Sequence, residues 1–304
     1  MNEFELISHV CSLNPTLGSR VVLPPGDDLG GLQIGAGTII LAGVDQVIGG
    51  VHLPVEASPE RYARKVIRRS LSDVAAMAAV PAGALVTAAL PPGLADDWGH
   101  RFADALNREA VLHDCPVFGG DVAAVSSSDT PPLVTATVLA SPDHLMGDRF
   151  VRRSGARPGD AVWVSGSLGG SLLPDGSGHH ESFEPRIALG LALHRLLGDS
   201  LHSMIDVSDG LVSDAGHLAS QSGVQITLEV ESLPRRGAST ALEALSDGED
   251  YELCFTVDRS AEVPDQLEAI ALTRIGTVQS GAEVVVRENG AVVNFSERGW
   301  EHRT

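Results

Sequence analysis

The chain has 304 residues, and its 40 acidic residues outnumber its 21 lysines and arginines, so the formal net charge is −19. A nucleic-acid binder normally presents a basic face to phosphates, and this charge balance argues against that class. Hydrophobic residues make up 43% of the sequence, which is enough to bury a core in each of about two domains of ~150 residues.

No membrane or secretory segment is recognisable in the sequence. No apolar run approaches the roughly 20 residues needed to cross a bilayer, and residues 1–5 lack the basic start of a secretory signal. Three widely separated cysteines, Cys11, Cys115 and Cys254, form no CxxC pair. We therefore expect a cytoplasmic protein with reduced cysteines and without a membrane partner.

Apolar, β-branched runs alternate with helical patterns along the chain. Strands are predicted at 38–44, 84–90, 133–140, 161–165, 224–230 and 252–257, each bounded by Gly, Pro or Asp. Helices are predicted from the N-cap Ser58 to about Ala79 and at 98–113, 185–197 and 211–222. Asn289-Gly290 favours a tight hairpin between strands at 284–287 and 291–295. The alternation predicts mixed α and β structure.

The segment 141–160 is the best candidate for a domain boundary, because Gly and Pro interrupt any regular pattern there. It divides the chain into residues 1–140 and 141–304. Each part has its own strands and helices, so two α/β domains are predicted. A second Gly- and Ser-rich stretch, 165–182, predicts a segment that stays mobile unless something binds to it.

The most informative feature is a set of aspartates, each predicted in a Gly- or Ser-rich turn or just after an apolar strand. They occur in the runs Gly26-Asp27-Asp28, Val44-Asp45, Ser72-Asp73, Gly119-Gly120-Asp121 and Asp206-Val207-Ser208-Asp209-Gly210. Such positions bring side chains together at one edge of a sheet in α/β folds. Asp73 also shares a helical stripe with the apolar Val66 and Met77, and an inward-facing carboxylate needs a partner.

Carboxylates gathered in one place require cations. Two of them ~4 Å apart repel by about 4 kcal/mol at an effective dielectric of ~20. Carboxylate oxygens without neighbouring Cys or His suit Mg²⁺, which shares its coordination with substrate phosphates. Any single aspartate is explained as well by turn capping, and only the joint pattern favours a metal site. The chain has no P-loop, Rossmann, protein-kinase or GxSxG motif, so metal-bridged carboxylates would have to hold any phosphates.

Seven motifs, in order, resemble those of the thiamine-monophosphate kinase family, and the match spans residues 4–300. The resemblance implies ATP-dependent phosphorylation of thiamine monophosphate to thiamine diphosphate. It also implies an α/β (α+β) two-domain fold like that of aminoimidazole ribonucleotide synthetase, with the N-terminal domain forming a barrel-like sheet across a homodimer. The motifs are Gly26-Asp27-Asp28, Asp45 with Gly50-Val51-His52, 71–77 (LSDVAAM), Gly119-Gly120-Asp121, 153–160 (RSGARPGD), 206–211 (DVSDGL) and 248–253 (GEDYEL).

The resemblance further implies three groups of site residues. The implied Mg²⁺ ligands are Asp28, Asp45, Asp73, Asp121, Asp206 and Asp209, with Asp27 beside them. The implied contacts to ATP are Gly120, Asp121, Arg153 and Ser208, and those to thiamine monophosphate are His52, Glu249 and Trp300. No general base is expected, because the acceptor phosphate oxygen is already anionic near neutral pH. On residue type alone, His52 and Trp300 are nearly as well explained without function, and Tyr251 and Glu252 are interpreted as strand residues.

Several departures from the family pattern leave alternatives open. Gly43-Val44 stands where the family usually has Ser-Thr, and Val122-Ala123 where two threonines follow the GGD motif. Gly170 replaces a common Asp, and Asp247 replaces a Gly. One alternative is therefore a catalytically weakened paralogue that binds nucleotide or a thiamine phosphate without efficient turnover. A sister enzyme that activates another oxygen or a selenium nucleophile is disfavoured, because Cys11 lacks a Gly-rich setting and no Cys lies at the C-terminus.

Overall fold

The computed structural model describes residues 9–14 and 17–293. Residues 9–12 are helical, and the helices that follow them are α1 (Pro59–Ala76), α2 (Trp98–Leu112), α3 (His179–Ser182), α4 (Ile187–Leu197), α5 (Leu211–Ser222) and α6 (Ala241–Ser246). Its strands are β1 (Val21–Leu23), β2 (Gly30–Gly35), β3 (Thr38–Ile48), β4 (Ala79–Leu90), β5 (Val117–Ala124), β6 (Leu133–Pro142), β7 (Ala161–Ser165), β8 (Leu201–Asp206), β9 (Gln225–Glu229), β10 (Leu253–Val257), β11 (Gln266–Leu267), β12 (Ile270–Gln279), β13 (Val284–Glu288) and β14 (Ala291–Val293). Within the described ranges, no helix is both long and apolar enough to span a bilayer.

The first sheet has six strands in the order β1-β2-β3-β6-β4-β5, and α1 and α2 cover one of its faces. Successive side chains of a strand point to opposite faces. In β6, Val134, Ala136 and Val138 are therefore buried beneath the helices, while the alternate residues lie on the other, outer face. That outer face is largely open in the single chain, where Val44 is 62% exposed.

The second sheet follows the order β14-β13-β9-β12-β7-β10-β8, with β11 added beside β12. It is buried on both faces, as its nearly continuous apolar strands indicate. In β10, Cys254 packs into the core beneath α5, whereas the next residue, Phe255, packs into the core shared with α4. The sheet thus forms the centre of a three-layer arrangement.

Helix α1 contributes to the cores of both halves. Its N-terminal part packs on the first sheet through residues such as Val66 and Leu71. Its last turn places Ala75 and Ala76 in the core that contains Leu193 of α4. The segment 141–160 contains the end of β6 and a 3₁₀ turn at His144–Met146. The division into domains 1–140 and 141–304 remains a prediction.

Most predicted elements are present, with corrections at their ends. The helix predicted to reach Ala79 ends at Ala76, because Ala78 adopts a left-handed φ of 50° and β4 follows at once. The strand predicted at 38–44 continues to Ile48 through pairing with β6, so Asp45 lies inside β3. The turn predicted at Gly119-Gly120-Asp121 is instead part of β5, where these residues pair in parallel with β4.

A second correction concerns the start of β10. Tyr251 and Glu252 are predicted as strand residues, but β10 begins at Leu253. Tyr251 adopts a left-handed φ of 51° in the preceding loop, which is incompatible with a β-strand. Five other strands, β1, β2, β8, β11 and β12, are not predicted by the sequence pattern.

The close approach of α1 and α4 generates a stability prediction. A Cβ at Gly190 of α4 would lie 2.3 Å from the backbone oxygen of Ala75 in α1. Gly190→Ala should therefore destabilise the protein by about 1–3 kcal/mol, because the helices must separate. Denaturant-induced unfolding would measure the change.

Gly99 provides the matched control, since it is also helical but a Cβ added there would have nothing within 4 Å. Gly99→Ala should stabilise the protein by up to about 1 kcal/mol, because alanine has the higher helix propensity. Equal effects of the two substitutions would contradict the packing argument.

Candidate active site

Three carboxylates from distant parts of the chain converge where α1 meets the end of β8. Asp28 precedes β2, Asp73 projects from α1, and Asp206 is the last residue of β8. Oxygen atoms from the three side chains all lie within 4.8 Å of one another. The two halves of the chain therefore contribute jointly to one acidic group, which we call the Asp28 group.

The environment of this group disfavours negative charge. Burial, reinforced by the charge of Asp28, raises the pKa of Asp206 to about 7 although the Ser72 hydroxyl donates a hydrogen bond of 2.6 Å to its Oδ2. Burial also raises the pKa of Asp73 well above its usual range, and the charges of Asp45, Asp206 and Asp28 add to the effect. A bound cation would favour the charged carboxylates and would therefore lower the pKa values of both Asp206 and Asp73.

Arg153 donates hydrogen bonds to both Asp28 and Asp27. The Arg153 guanidinium donates to Asp28 Oδ1 from Nη2 at 2.6 Å and from Nε at 3.1 Å, and its backbone N–H donates to Asp27 Oδ1. Burial, followed by the charge of Asp28, raises the pKa of Asp27 to about 6. The other oxygen of Asp28, Oδ2, is buried without a hydrogen-bond partner. This orphaned acceptor within a set of hard oxygen atoms fits a divalent metal ion.

A second acidic group lies at the start of α5. Asp209, Asp214 and His217 bring ligand atoms within 4.8 Å of one another. Asp214 Oδ2 accepts hydrogen bonds from the backbone N–H groups of Ser208, Asp209 and Gly210 at 3.0–3.1 Å. Asp214 therefore shapes the loop after β8, and the structure assigns Asp206 and Asp209 to two separate groups.

Asp45 and Asp121 lie on opposite faces of the first sheet. Asp45 pairs with the buried Ala136 and faces α1. Asp121 pairs with the exposed Thr87 on the outer face, three strands from β3. Neighbouring Gly120 packs so tightly on β4 that an added Cβ would lie 1.9 Å from the Val86 oxygen. Within one chain, Gly120 and Asp121 are therefore not part of the Asp28 group.

A cavity of about 450 Å³ opens next to these groups. Residues from both halves line it, among them His52, Arg69, Ser208, Asp209, Asp247, Glu249 and Tyr251. The Tyr251 ring is fixed by stacking on Phe183, with ring centroids 3.8 Å apart. Two of the three residues expected to contact the acceptor, His52 and Glu249, thus share one cavity. Trp300 lies outside the described residues.

Glu249 is held by an ion pair that crosses between the halves. Its Oε1 lies 2.7 Å from Nζ of the buried Lys65 on α1, and its Oε2 lies 3.3 Å from Nδ1 of His180. Burial would raise the pKa of Glu249, but His180 and Lys65 outweigh it and lower that pKa to about 2. Burial lowers the pKa of Lys65 to about 8 against the opposing charge of Glu249.

Two departures from the family pattern meet in space. Asp247 replaces a glycine and Gly170 replaces a common aspartate, and the Gly170 N–H donates a 2.9 Å hydrogen bond to Asp247 Oδ2. Asp247 lines the cavity. The Asp247 carboxylate therefore links its own loop to the loop that contains Gly170.

Several residues of the site are missed by the sequence analysis. They are Lys65, Arg69, His180, Asp214 and Tyr251. Along α1, charged residues recur every four positions at Lys65, Arg69 and Asp73. This charged stripe could have indicated a functional face of the helix, but the apolar residues on the same helix dominate the pattern. His180 and Asp214 have no comparable signal, because their importance depends on partners distant in the sequence.

Comparison with known proteins assigns the class of this two-domain α/β fold. The N-terminal domain of AIR synthase related proteins matches residues 26–141, and the C-terminal domain of the same proteins matches residues 157–289. The thiamine-monophosphate kinase of Salmonella typhimurium (strain LT2) is 32% identical, with 91% of this chain and 90% of that protein covered. That of Aquifex aeolicus (strain VF5) is also 32% identical, with 99% and 98% covered.

A solved structure, AaThiL complexed with AMPPCP and TMP, superimposes with a TM-score of 0.80 at 28% identity and covers 99% of this chain and 97% of that one. The chain belongs to the thiamine-monophosphate kinase family, and it is accordingly an enzyme of the phosphotransferase class. The predicted family and the two-domain fold class are confirmed. The predicted closure of the first sheet into a barrel across a dimer is not tested by a single chain.

The raised pKa of Asp206 generates a pH prediction for the metal-free protein. A carboxyl group whose pKa is higher in the folded state contributes stability at low pH, and that contribution is lost as the pH rises from about 4 to about 7. With a chelator present, Asp206→Asn should therefore be more stable than the natural chain by about 1–4 kcal/mol at pH 8 and nearly equal to it at pH 4.

Unfolding in urea at both pH values would measure the difference. Asp104→Asn serves as the control, because Asp104 is exposed on α2 and the substitution changes the charge equally. A gap between Asp206→Asn and the natural chain that is the same at pH 4 and pH 8 would contradict the assignment.

Proposed function

We propose that this chain phosphorylates thiamine monophosphate to thiamine diphosphate with ATP and Mg²⁺. One observation carries the proposal: Asp28, Asp73 and Asp206, drawn from both halves, converge beside a cavity large enough for a small substrate. The similarity to AaThiL complexed with AMPPCP and TMP, across nearly the whole of both chains, supports the choice of nucleotide and acceptor.

The Asp28 group would hold Mg²⁺, with Asp27 and Asp45 beside it. The other two expected ligands remain proposals outside that group, because Asp209 lies in the second acidic group and Asp121 lies on the outer face of the first sheet. When bound, the metal would neutralise charge on the phosphates of both substrates. Removing the repulsion between buried carboxylates would also stabilise the fold. The orphaned Oδ2 of Asp28 supports this assignment, because a buried acceptor without a donor is costly in the absence of a ligand.

The transfer would be direct and in line, without a general base. The attacking oxygen belongs to a phosphate that is already anionic near neutral pH, so no hydroxyl proton needs removal. Arg153, held in place by Asp28, presents a fixed positive fork to the nucleotide phosphates. Ser208 and Gly120 remain proposed contacts to ATP.

The cavity would bind the thiamine end of the acceptor. Glu249 offers a carboxylate fixed by Lys65 and His180, which suits the cationic ring system of thiamine. The His52 ring is oriented by a hydrogen bond of 3.0 Å from the Ile48 N–H to Nδ1. Stacking of Trp300 on the substrate remains part of the proposal.

A catalytically weakened paralogue is the second candidate, and Gly43 favours it. A Cβ at Gly43 would lie 3.5 Å from Asp73 Oδ2, so a serine there could offer a hydroxyl to the Asp28 group. In this chain Leu29 occupies that space, with its Cδ2 2.4 Å from the same Cβ position. Val44, by contrast, faces outward, so a threonine at that position would not supply a ligand to the group.

Incubation of the purified chain with ATP, Mg²⁺ and thiamine monophosphate tests the proposed function. We expect thiamine diphosphate to form, and Asp206→Asn should lower kcat/KM by at least about 100-fold because it removes a metal ligand. Chromatographic separation of the thiamine phosphates would measure the product. Asp104→Asn is again the control.

Absence of product from the folded natural chain would refute the kinase. Weak activity that rises when Leu29→Ala and Gly43→Ser are combined would favour the weakened paralogue. Full activity in the natural chain would dismiss that alternative.

We also propose that the chain forms a homodimer through the outer face of the first sheet. Exposed apolar side chains there, among them Val44 and Leu85, support it, and Asp121 lies on the same face. A cytoplasmic location remains a prediction.

Analytical ultracentrifugation should find a dimer, and Val44→Asp should shift it toward monomer, because a buried unpaired charge opposes association. A natural chain that is monomeric at all accessible concentrations would exclude the dimer.

A further inference from the structure

Two adjacent arginines on α1 differ in how many hydrogen bonds their guanidinium groups donate. Arg68 donates to Glu109 from Nε at 2.8 Å, and to the Phe183 carbonyl and Glu184 from Nη1 at 2.6 Å. Arg69 forms no hydrogen bond with any described residue, and Asp45 is its only carboxylate neighbour within 4 Å in that part of the chain. Arg68 is thus a structural residue, whereas the donors of Arg69 are available.

Arg69 is directed into the substrate cavity rather than into solvent. Its side chain is only 18% exposed, and it lines the cavity together with His52, Glu249 and Tyr251. The ion pair with Asp45 has an Nη2 to Oδ1 distance of 3.3 Å. An arginine that is largely removed from water and keeps unused donors is suited to bind an anion.

Two arginines of the site are paired with different carboxylates. Arg153 is paired with Asp28, and the nearby charges of Asp206 and Asp73 also act on it. Arg69 is paired with Asp45, and the charges of Glu249 and Asp73 also act on it. Arg69 lines the cavity proposed for the acceptor, whereas Arg153 is not among the described residues that line it and is proposed to contact the nucleotide.

We propose that the Arg69 guanidinium binds the phosphate of the acceptor and thereby makes the enzyme select a thiamine phosphate over thiamine. The inference rests on the proposed function and adds a specificity-determining residue to it. A planar guanidinium can donate two parallel hydrogen bonds to a phosphate, which fixes both the position and the orientation of that group. Unphosphorylated thiamine would leave these donors unpaired beside Asp45.

Binding without turnover tests the proposal directly. Calorimetry would measure the dissociation constants of thiamine monophosphate and of thiamine with Mg²⁺ and a non-hydrolysable ATP analogue present. The natural chain should prefer the phosphate ester. Arg69→Met should reduce that preference by roughly 10- to 100-fold, because a hydrogen-bonded charged partner is lost. Affinity for thiamine and for the ATP analogue should change little.

Arg64→Met is the matched control. Arg64 lies on the same helix, pairs among the described residues only with Glu109 at 3.5 Å, and does not line the cavity. Arg69→Gln provides a second variant if Arg69→Met does not fold, and the same loss of preference is expected. An unchanged preference, or an equal loss of affinity for both ligands, would overturn the role of Arg69.

The result is separable from the test of the kinase activity. A natural chain that forms thiamine diphosphate, together with an Arg69→Met variant that keeps the preference, would refute the Arg69 inference alone. A natural chain that prefers the phosphate ester through Arg69 but forms no product would refute the kinase alone. A natural chain that binds both ligands equally would refute the Arg69 inference.

Discussion

The repulsion among buried carboxylates is the constraint on which the site depends. Asp28, Asp73 and Asp206 come from different elements, and each is brought in by the packing of its element rather than by attraction to the others. Arg153 offsets only part of this unfavourable charge, through Asp28. The fold thus supplies stability from its cores to hold an arrangement that bound cations would make favourable.

Helix α1 is the element that makes this arrangement possible. Its apolar residues enter the cores of both halves, and its polar stripe presents Lys65, Arg69 and Asp73 in successive turns. These side chains reach Glu249, Asp45 and the Asp28 group, respectively. One rigid helix therefore sets the spacing between the cavity and the carboxylates of the Asp28 group. A change in its position would alter both together.

Much of this organisation is predictable from the sequence. The long helix, most strands and the convergence of Asp28, Asp73 and Asp206 follow from apolar periodicity and from motif order. Asp121 shows why the prediction is incomplete, because the face on which a strand residue lies depends on register, and register is set by partners far away in the chain. Tyr251 shows a second limit, since its left-handed backbone conformation is not encoded by residue type.

His180 illustrates the third limit. It lies in a Gly- and Ser-rich stretch that predicts no fixed structure, yet it is buried against Glu249. The stretch is anchored at its start by Asp250, which accepts a hydrogen bond from the Gly169 N–H at 2.9 Å. Composition predicts that such a segment has no regular structure of its own. It does not show that the fold brings a hydrogen-bond acceptor, here Asp250, to the segment.

The pairing of Gly170 with Asp247 has a consequence for the engineering of this chain. The two loops touch through a hydrogen bond from the Gly170 N–H to the Asp247 carboxylate. An aspartate introduced at position 170 would place two acids opposite each other, and a glycine introduced at position 247 would leave neither loop with one. The two positions should therefore be exchanged as a unit in chimeras.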